Sequence, residues 1–387
     1  MHGDRAHAKL VAHATGFSRR KSFMSRSPRE DTRPPAHEDV PAISLALQGG
    51  GAHGAFTWGV LDRLLEEVEA GRLRIAALSG TSAGAMNAAV CGYGLRSGPT
   101  AARIALGRFW AGMHNKAMGL GNPYLWVPYN AAGKGWNFDD LPLTAALNVA
   151  AQFWSPYLSP FYKNPLVEVV NRIIGDFAVL NDPGEDLPRV YVAATNIGKG
   201  SRKVFGPGEL RTEVLLASAC LPQSAQAVEI DGTYYWDGGF TANPALEPLV
   251  AYADDMVIVQ LNPRDRDGEP PRSPGDVADR VNEISFNIAL VQEIQTLDLV
   301  NTFLRKLPPE QRTGRIVNLH ILSDEAVMAN LGLASKYNLS WKFLKSLHDA
   351  GRAATETFLG DCSSNFGRRS STNVRRDLVG RYLDTAR

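Results

Sequence analysis

Three short stretches of the chain carry residue types that together could form and then resolve an acyl ester. The first is Gly80-Thr81-Ser82-Ala83-Gly84, a Gly-x-Ser-x-Gly run. A serine held on a sharp strand-to-helix turn needs neighbours without bulk two positions away on either side, and Gly80 and Gly84 supply them. The helix that follows would aim its free N–H groups and its positive end at an oxyanion forming there. The second stretch, Gln48-Gly49-Gly50-Gly51-Ala52-His53-Gly54, gathers backbone donors ahead of a helix and reads as an anion loop, for a phosphate or an oxyanion. The third is Asp237-Gly238-Gly239, an acid leaving a strand into a diglycine turn, where nothing bulky covers it. Taken singly, the serine run is also a common tight turn and Asp237 also a solvated turn aspartate.

The elements around these stretches must position them. Ile43 to Leu47 is a short apolar run that leads straight into the glycine loop. A helical segment follows it, with Phe56, Val60, Leu61, Leu64, Leu65 and Val68 on one face. A dinucleotide site built this way asks for an acidic residue at the end of the second strand, roughly 20 residues on. Here the second strand, Ile75 to Leu78, ends in the Ser82 turn, and Arg72 and Arg74 flank its start. The cofactor reading therefore fails, and two adjacent ends of a parallel sheet carry an oxyanion loop and a nucleophile. Arg189 to Asn196 reads as another buried strand, Val204-Phe205 as a short pairing, and Glu213 to Cys220 as a helix stopped at Leu221-Pro222. Val228 to Ile230 and Thr233 to Trp236 form a hairpin on an Asp231-Gly232 turn that delivers Asp237.

In the right order over residues 42–262, these pieces resemble the patatin-like phospholipase family, with its Gly-Gly-Gly-x-x-Gly loop, Gly-x-Ser-x-Gly elbow and Asp-Gly-Gly turn. Ala85-Met86-Asn87-Ala88 after the elbow and Ala217-Ser218-Ala219 through Pro222 also look like that group. The resemblance implies a three-layer α/β/α fold on a central, mostly parallel sheet. It also implies hydrolysis of lipid acyl esters by a Ser82–Asp237 dyad, without a histidine and without a cofactor or metal. Gly49, Gly50, Gly51 and Gly54 would form the oxyanion loop, Gly80 and Gly84 the elbow, and Gly238 and Gly239 the acid turn. One departure is His53, where the family usually has Arg or Lys. An aspartate of ordinary pKa, about 4, is a weak base for a serine, so desolvation beside Trp236 is expected to raise that of Asp237. Two other classes are open. A Ser-Asp-His esterase, lipase or thioesterase would draw on His320 or His348, and a non-catalytic lipid-binding protein would keep the fold without needing Ser82.

The rest of the chain sets bounds. Its 387 residues are enough for a large core, and 44% apolar with 21% charged residues describe a globular protein. A net charge of +1 offers no field for nucleic acid, so a lipid partner would be met by local surface, in peripheral contact with a membrane. Cys91, Cys220 and Cys362 are few, odd in number and far apart, which suits a reducing, cytoplasmic setting. Residues 1–40 read as a disordered basic leader, with seven Lys or Arg against Asp4 up to Arg29. It lacks the apolar core of a secretory signal, and its composition also fits a transit peptide or an anionic-surface tether. No stretch reaches the roughly 18 apolar residues of a membrane span.

Aromatic residues crowd 108–165, Trp126, Tyr129, Phe153, Trp154, Tyr157, Phe161 and Tyr162 among them, and could line an acyl pocket, meet lipid or form a satellite core. The catalytic region is placed at 41–262 and a charged linker at 263–275. A mainly helical region at 276–366 packs on the catalytic region, and a basic tail that frays takes 367–387. Within the helical region, a helix from Pro274 to Lys306 is expected to bury Val277, Val281, Ile284, Ile288, Val291, Ile294 and Leu297. Arg315 to Leu322 reads as a further strand.

Overall fold

The structure, a computed structural model, describes residues 40–152, 155–158, 164–222, 224–266 and 269–374. The leader before Val40, the aromatic residues Phe153, Trp154, Phe161 and Tyr162, and the tail beyond Val374 lie outside the described residues.

In chain order the elements are β1 (Ala42–Leu47), α1 (Gly54–Glu69), β2 (Arg74–Thr81), α2 (Ala83–Leu95), α3 (Pro99–Gly119), α4 (Pro142–Gln152), α5 (Leu166–Ile173), α6 (Ala178–Asn181), β3 (Arg189–Asn196) and β4 (Ser201–Phe205). There follow α7 (Thr212–Ser218), β5 (Val228–Ile230), β6 (Thr233–Asp237), β7 (Asp255–Val259), α8 (Pro274–Lys306), β8 (Asn318–Leu322), α9 (Glu325–Met328) and α10 (Trp341–Cys362). The strands form one eight-stranded sheet in which β3, β2, β1, β7 and β8 run parallel in that order. The hairpin of β5 and β6 and the short β4 add antiparallel pairs at β3.

Alternation along the central strands builds the layers. Ile43, Leu45 and Leu47 of β1, with Val257 and Val259 of β7, face a core shared with α1, α2, α3 and α10. Ala46, Met256 and Ile258 point the other way, onto Leu290 and Ile294 of α8 and onto Leu246 and Leu249. Helices thus cover both faces. The expected strand at Arg315–Leu322 is β8, whose Asn318 to Leu322 pair with Asp255 to Val259, so the C-terminal region extends the sheet as well as packing on it.

Two expectations for that region differ from what is found. Helix α8 has the expected span, but Val277, Val281, Ile284 and Ile288 face solvent, Val281 at 58% exposure. The face turned inward carries Asp279, Glu283 and Asn287 beside Phe286, Leu290 and Ile294. Helical period fixes spacing and leaves phase open, and the phase follows the charges: Asp279 and Glu283 take hydrogen bonds from Arg266, and Glu283 another from Arg280. The tail does not fray at Gly367. The Gly367 N–H donates to Asp255 Oδ2, and Ser370, Ser371 and Thr372 hydrogen-bond to Leu319, His320 and Ile321 of β8.

Phe343 of α10 is completely buried, with its ring 5.1 Å from Trp136 and 6.2 Å from His53 of the glycine loop. Phe343→Ala should therefore cost about 3–5 kcal/mol, read as a lower urea midpoint at unchanged m-value.

Candidate active site

The site begins at the end of β2. Ser82 has φ 54° and ψ −124°, a conformation that residues with a Cβ rarely adopt. Surrounding backbone enforces it. A Cβ on Gly84 would lie 2.1 Å from the Leu47 carbonyl oxygen, and one on Gly80 would lie 2.4 Å from the Gly84 carbonyl. With those side chains absent, α2 starts directly over the ends of β1 and β2. The Ser82 N–H donates to Ser218 Oγ at 2.9 Å, and Ser218 Oγ donates to the Ala193 carbonyl of β3 at 2.6 Å. Residue 218 thereby ties the turn to the neighbouring strand.

The acid arrives by register. On β3, Ala193 pairs with Thr81 of β2 and with Val204 of β4, and Ala194 pairs with Asp237 of β6 and with Lys203 of β4. Since β4 occupies one edge of β3 from Val192 to Asn196, β2 and β6 share the other. Asp237 therefore takes the next position along that edge just where β2 leaves for the Ser82 turn. Contacts bear this out: Thr81 Oγ1 donates to the Ala242 carbonyl at 2.7 Å, and a Cβ on Gly238 would lie 2.3 Å from the Ala193 carbonyl oxygen and 3.0 Å from Thr81 Cγ2.

Asp237 is fully buried. Its Oδ1 accepts the Gly239 N–H at 2.7 Å, while Oδ2 has no hydrogen bond of normal geometry. Burial pushes its carboxyl up to about 6 against the opposing pull of the Gly239 N–H, the Ser82 hydroxyl and the charge of Lys336. A raised value was expected, but Trp236 alternates to the other face of the strand and is half-buried. The diglycine turn is what seats the acid: a Cβ on Gly239 would lie 2.3 Å from the Phe286 ring of α8.

The four loop glycines divide. Gly49 is pressed against the serine, a Cβ on it lying 2.8 Å from Ser82 Cβ, and its N–H donates to Asn243 Oδ1 at 2.7 Å. Gly54 spends its N–H on the loop's own carbonyls and packs against Ala83, a Cβ on it falling 2.6 Å from Ala83 Cβ. Gly50 and Gly51 keep N–H groups with no hydrogen-bond partner among the described residues, Gly51 at φ 58°. His53 is buried, its Nε2 2.6 Å from Ser335 Oγ. Burial and the nearby Lys336 charge hold its pKa well below the ordinary histidine value, so the ring is neutral.

The two other candidate histidines lie elsewhere. His320 on β8 is fully buried between Asp255 (Nε2 to Oδ1, 3.0 Å) and Ser371 (Nδ1 to Oγ, 2.9 Å). His348 on α10 lies against the Trp58 ring with Asp62 and Asp349 on its nitrogens. Among the described residues no group of three or more His, Cys, Asp or Glu could hold a metal ion, and no helix is long and apolar enough to cross a membrane.

Sequence reasoning did not single out the polar frame behind the loop. Gln48 Oε1 accepts the N–H groups of Leu261 and Asn262, and Asn262 Nδ2 donates to Gly49 O at 3.2 Å. Gln48 Nε2 donates to Asn287 of α8 at 2.9 Å. Asn243, Asn262, Asn287 and Lys336 carry no local motif; a buried polar residue far along the chain gives no periodic or spacing signal.

Comparison with known proteins agrees with this arrangement at the level of family. Residues 45–250 match the family model described as patatin-like phospholipase, and no curated protein matches the chain. Among solved structures the chain is similar to VipD from Legionella pneumophila, at 14% identity and TM-score 0.35, over 81% of this chain and 67% of that one. It is also similar to the heterodimeric ExoU–SpcU complex of the Pseudomonas aeruginosa type III secretion system, at 17% identity and TM-score 0.28, over 89% of this chain and 66% of that one. The chain thus spans about two thirds of those proteins' own length. With more than half of its residues matched by the family model, and with glycine loop, serine elbow and acid turn converging at one sheet edge, the chain belongs to the patatin-like phospholipase family.

Proposed function

We propose that the chain is a lipid carboxylic ester hydrolase that works through an acyl-enzyme on Ser82, with Asp237 as general base. The observation that carries this reading is the buried Asp237 carboxylate, with Oδ2 unpartnered, one register position beyond Thr81, where β2 leaves for the strained Ser82 turn. Asp237 takes the hydroxyl proton as Ser82 Oγ attacks the ester carbonyl carbon. The tetrahedral oxyanion is met by the free N–H groups of Gly50 and Gly51 and by the first turn of α2, each donor of this kind being worth roughly 3 kcal/mol of barrier. Collapse expels the alcohol, which takes the proton from Asp237. Water then attacks the acyl-serine, giving its proton to the same carboxylate, and the fatty acid leaves as Ser82 recovers its hydrogen. A carboxylate raised to about 6 is a better base than an ordinary one and is still ionised at neutral pH.

Peripheral contact with lipid is part of this proposal. It is supported by the solvent-facing Val277, Val281, Ile284 and Ile288 of α8 and by exposed Phe240, which follows the acid turn and packs on Phe286 of the same helix. The free cysteines Cys91, Cys220 and Cys362 support a reducing, cytoplasmic setting.

Ser82→Ala should lower ester turnover by at least about a hundredfold while leaving circular dichroism unchanged. Asp237→Asn should abolish both turnover and fluorophosphonate labelling of Ser82, since an amide cannot take the proton. Full labelling in that variant would refute the mechanism. Activity of the parent should fall as pH drops through about 6, because the base must be ionised. A histidine would titrate in the same range, so the deciding comparison is that His320→Ala and His348→Ala keep this limb.

The stability effect has the opposite sign. A carboxyl whose folded pKa lies above its unfolded value of about 4 costs stability as pH rises through the folded value. Asp237→Asn should therefore be more stable than the parent at pH 7–8, by up to about 3 kcal/mol in urea unfolding, and the gain should vanish towards pH 4. Replacing Ile284 and Ile288 together with Asp should leave turnover of a soluble ester intact and reduce co-sedimentation with liposomes. Unchanged co-sedimentation would remove α8 from the lipid contact.

A further inference from the structure

Beside the proposed dyad lies an ionic group that the chemistry above does not use. Lys336 belongs to the turn at Leu333–Tyr337, beyond the residues matched by the family model. Its backbone abuts the glycine loop, with its carbonyl oxygen 2.6 Å from where a Cβ on Gly51 would lie. Its Nζ donates to Asn262 Oδ1 at 2.8 Å and to Asn282 Oδ1 of α8, and stands 5.4 Å from the centre of the Phe286 ring against which Gly239 packs. Asn262 passes the contact on, its Nδ2 donating to the Gly49 carbonyl. The ammonium is thus two hydrogen bonds from the loop, on the side where α8 meets the acid turn.

The groups facing it come from four elements. Asp279 and Glu283 approach from α8, Asp237 from the acid turn, Asp139 from the segment before α4, and His53 from the loop. Arg266 binds both Asp279 and Glu283, and Arg280 binds Glu283. Asp139 is engaged by the backbone N–H groups of Leu333 and Ala334, which fixes the turn that carries Lys336. His53 is neutral. The positive charge felt at Asp237 comes from Lys336.

We propose that Lys336 is the positioning cation of this site, holding the glycine loop through Asn262 and supplying the positive field that favours ionised Asp237 and an oxyanion at Ser82. This inference rests on the assignment of Ser82 and Asp237 made above. Its chemistry is simple: a fixed positive charge in a partly desolvated site lowers the energy of nearby anions, and charge develops on the ester oxygen as Ser82 attacks. Burial holds the Lys336 ammonium down to about 8, with the surrounding carboxylates pulling the other way. The charge is therefore present at neutral pH and lost as pH rises through about 8.

The test is kcat/KM for p-nitrophenyl butyrate from pH 5 to 9.5 in the full-length parent, Lys336→Met and Lys336→Arg, with fluorophosphonate labelling of Ser82 in the parent as the control. Lys336→Met should lose about tenfold in rate at pH 7. It should also move the acid midpoint upward from about 6, since Asp237 loses a favourable charge, and lack the alkaline limb near 8. Lys336→Arg, charged throughout, should keep the acid midpoint and lose the alkaline limb. A Lys336→Met enzyme that is merely slower, with both midpoints where the parent has them, would reduce residue 336 to a structural prop and overturn the proposal. Should Lys336→Met fail to fold, an alkaline limb that stays near 8 in Lys336→Arg overturns it alone. Absence of labelling in the parent would instead refute the Ser82 assignment, which separates the two failures.

Discussion

Everything at the site depends on a contact between backbones. The first turn of α2 sits so close over the ends of β1 and β2 that a single methyl group on Gly84 would lie 2.1 Å from the Leu47 carbonyl oxygen. This contact compels the chain to turn within one residue and leaves that residue, Ser82, with φ 54°. The conformation is unfavourable for a serine on its own and persists because the sheet on one side and the helix on the other leave no alternative. The same closeness brings the glycine loop after β1 against the serine, since both leave neighbouring parallel strands at their C-terminal ends.

A second constraint concerns charge. Asp237 is buried with one oxygen unpartnered, an arrangement that costs stability and would ordinarily be relieved by a hydrogen bond or by protonation. Its surroundings partly offset the cost through the Gly239 N–H, the Ser82 hydroxyl and Lys336, leaving a group that titrates near 6 and is ionised at neutral pH. Strain in the backbone at Ser82 and desolvation at Asp237 are thus two local sacrifices of stability side by side at one edge of β3. Such pairs mark sites kept for something other than folding.

The legible part of the sequence was the part whose physics is local. Glycines at Gly49 to Gly51, Gly80, Gly84, Gly238 and Gly239 announce turns and close approaches within a few residues, and the Asp231-Gly232 turn announces the hairpin that delivers Asp237. Alternation and helical period gave the strands and the span of α8. Phase and long-range pairing were not legible. Helix α8 has two candidate inward faces at the same period, and the choice was made by Arg266 and Arg280 meeting Asp279 and Glu283. Asn243, which takes the Gly49 N–H, lies 194 residues from its partner, and nothing in its neighbours marks it. Gly49 and Gly54 read as equal to Gly50 and Gly51 in sequence, yet their N–H groups are engaged by the protein and their contribution is to let backbone and side chains approach.

The C-terminal region belongs to the site and not merely to its support. It supplies β8 beside β7, the Phe286 ring under Gly239, the Asn287 partner of Gln48, and the turn whose backbone lies against Gly51. The last three of these contacts reach the glycine loop or the acid turn from outside residues 45–250. A loop with glycines at three successive positions has high conformational entropy, and such a chain does not hold its donors in one place unaided. Here the order comes from hydrogen bonds to Gln48, Asn243 and Asn262 and from the Lys336 backbone packed on Gly51, so the geometry of the loop is set largely by residues distant in sequence. The motif provides backbone that can take the shape, and the remainder of the fold determines which shape it takes.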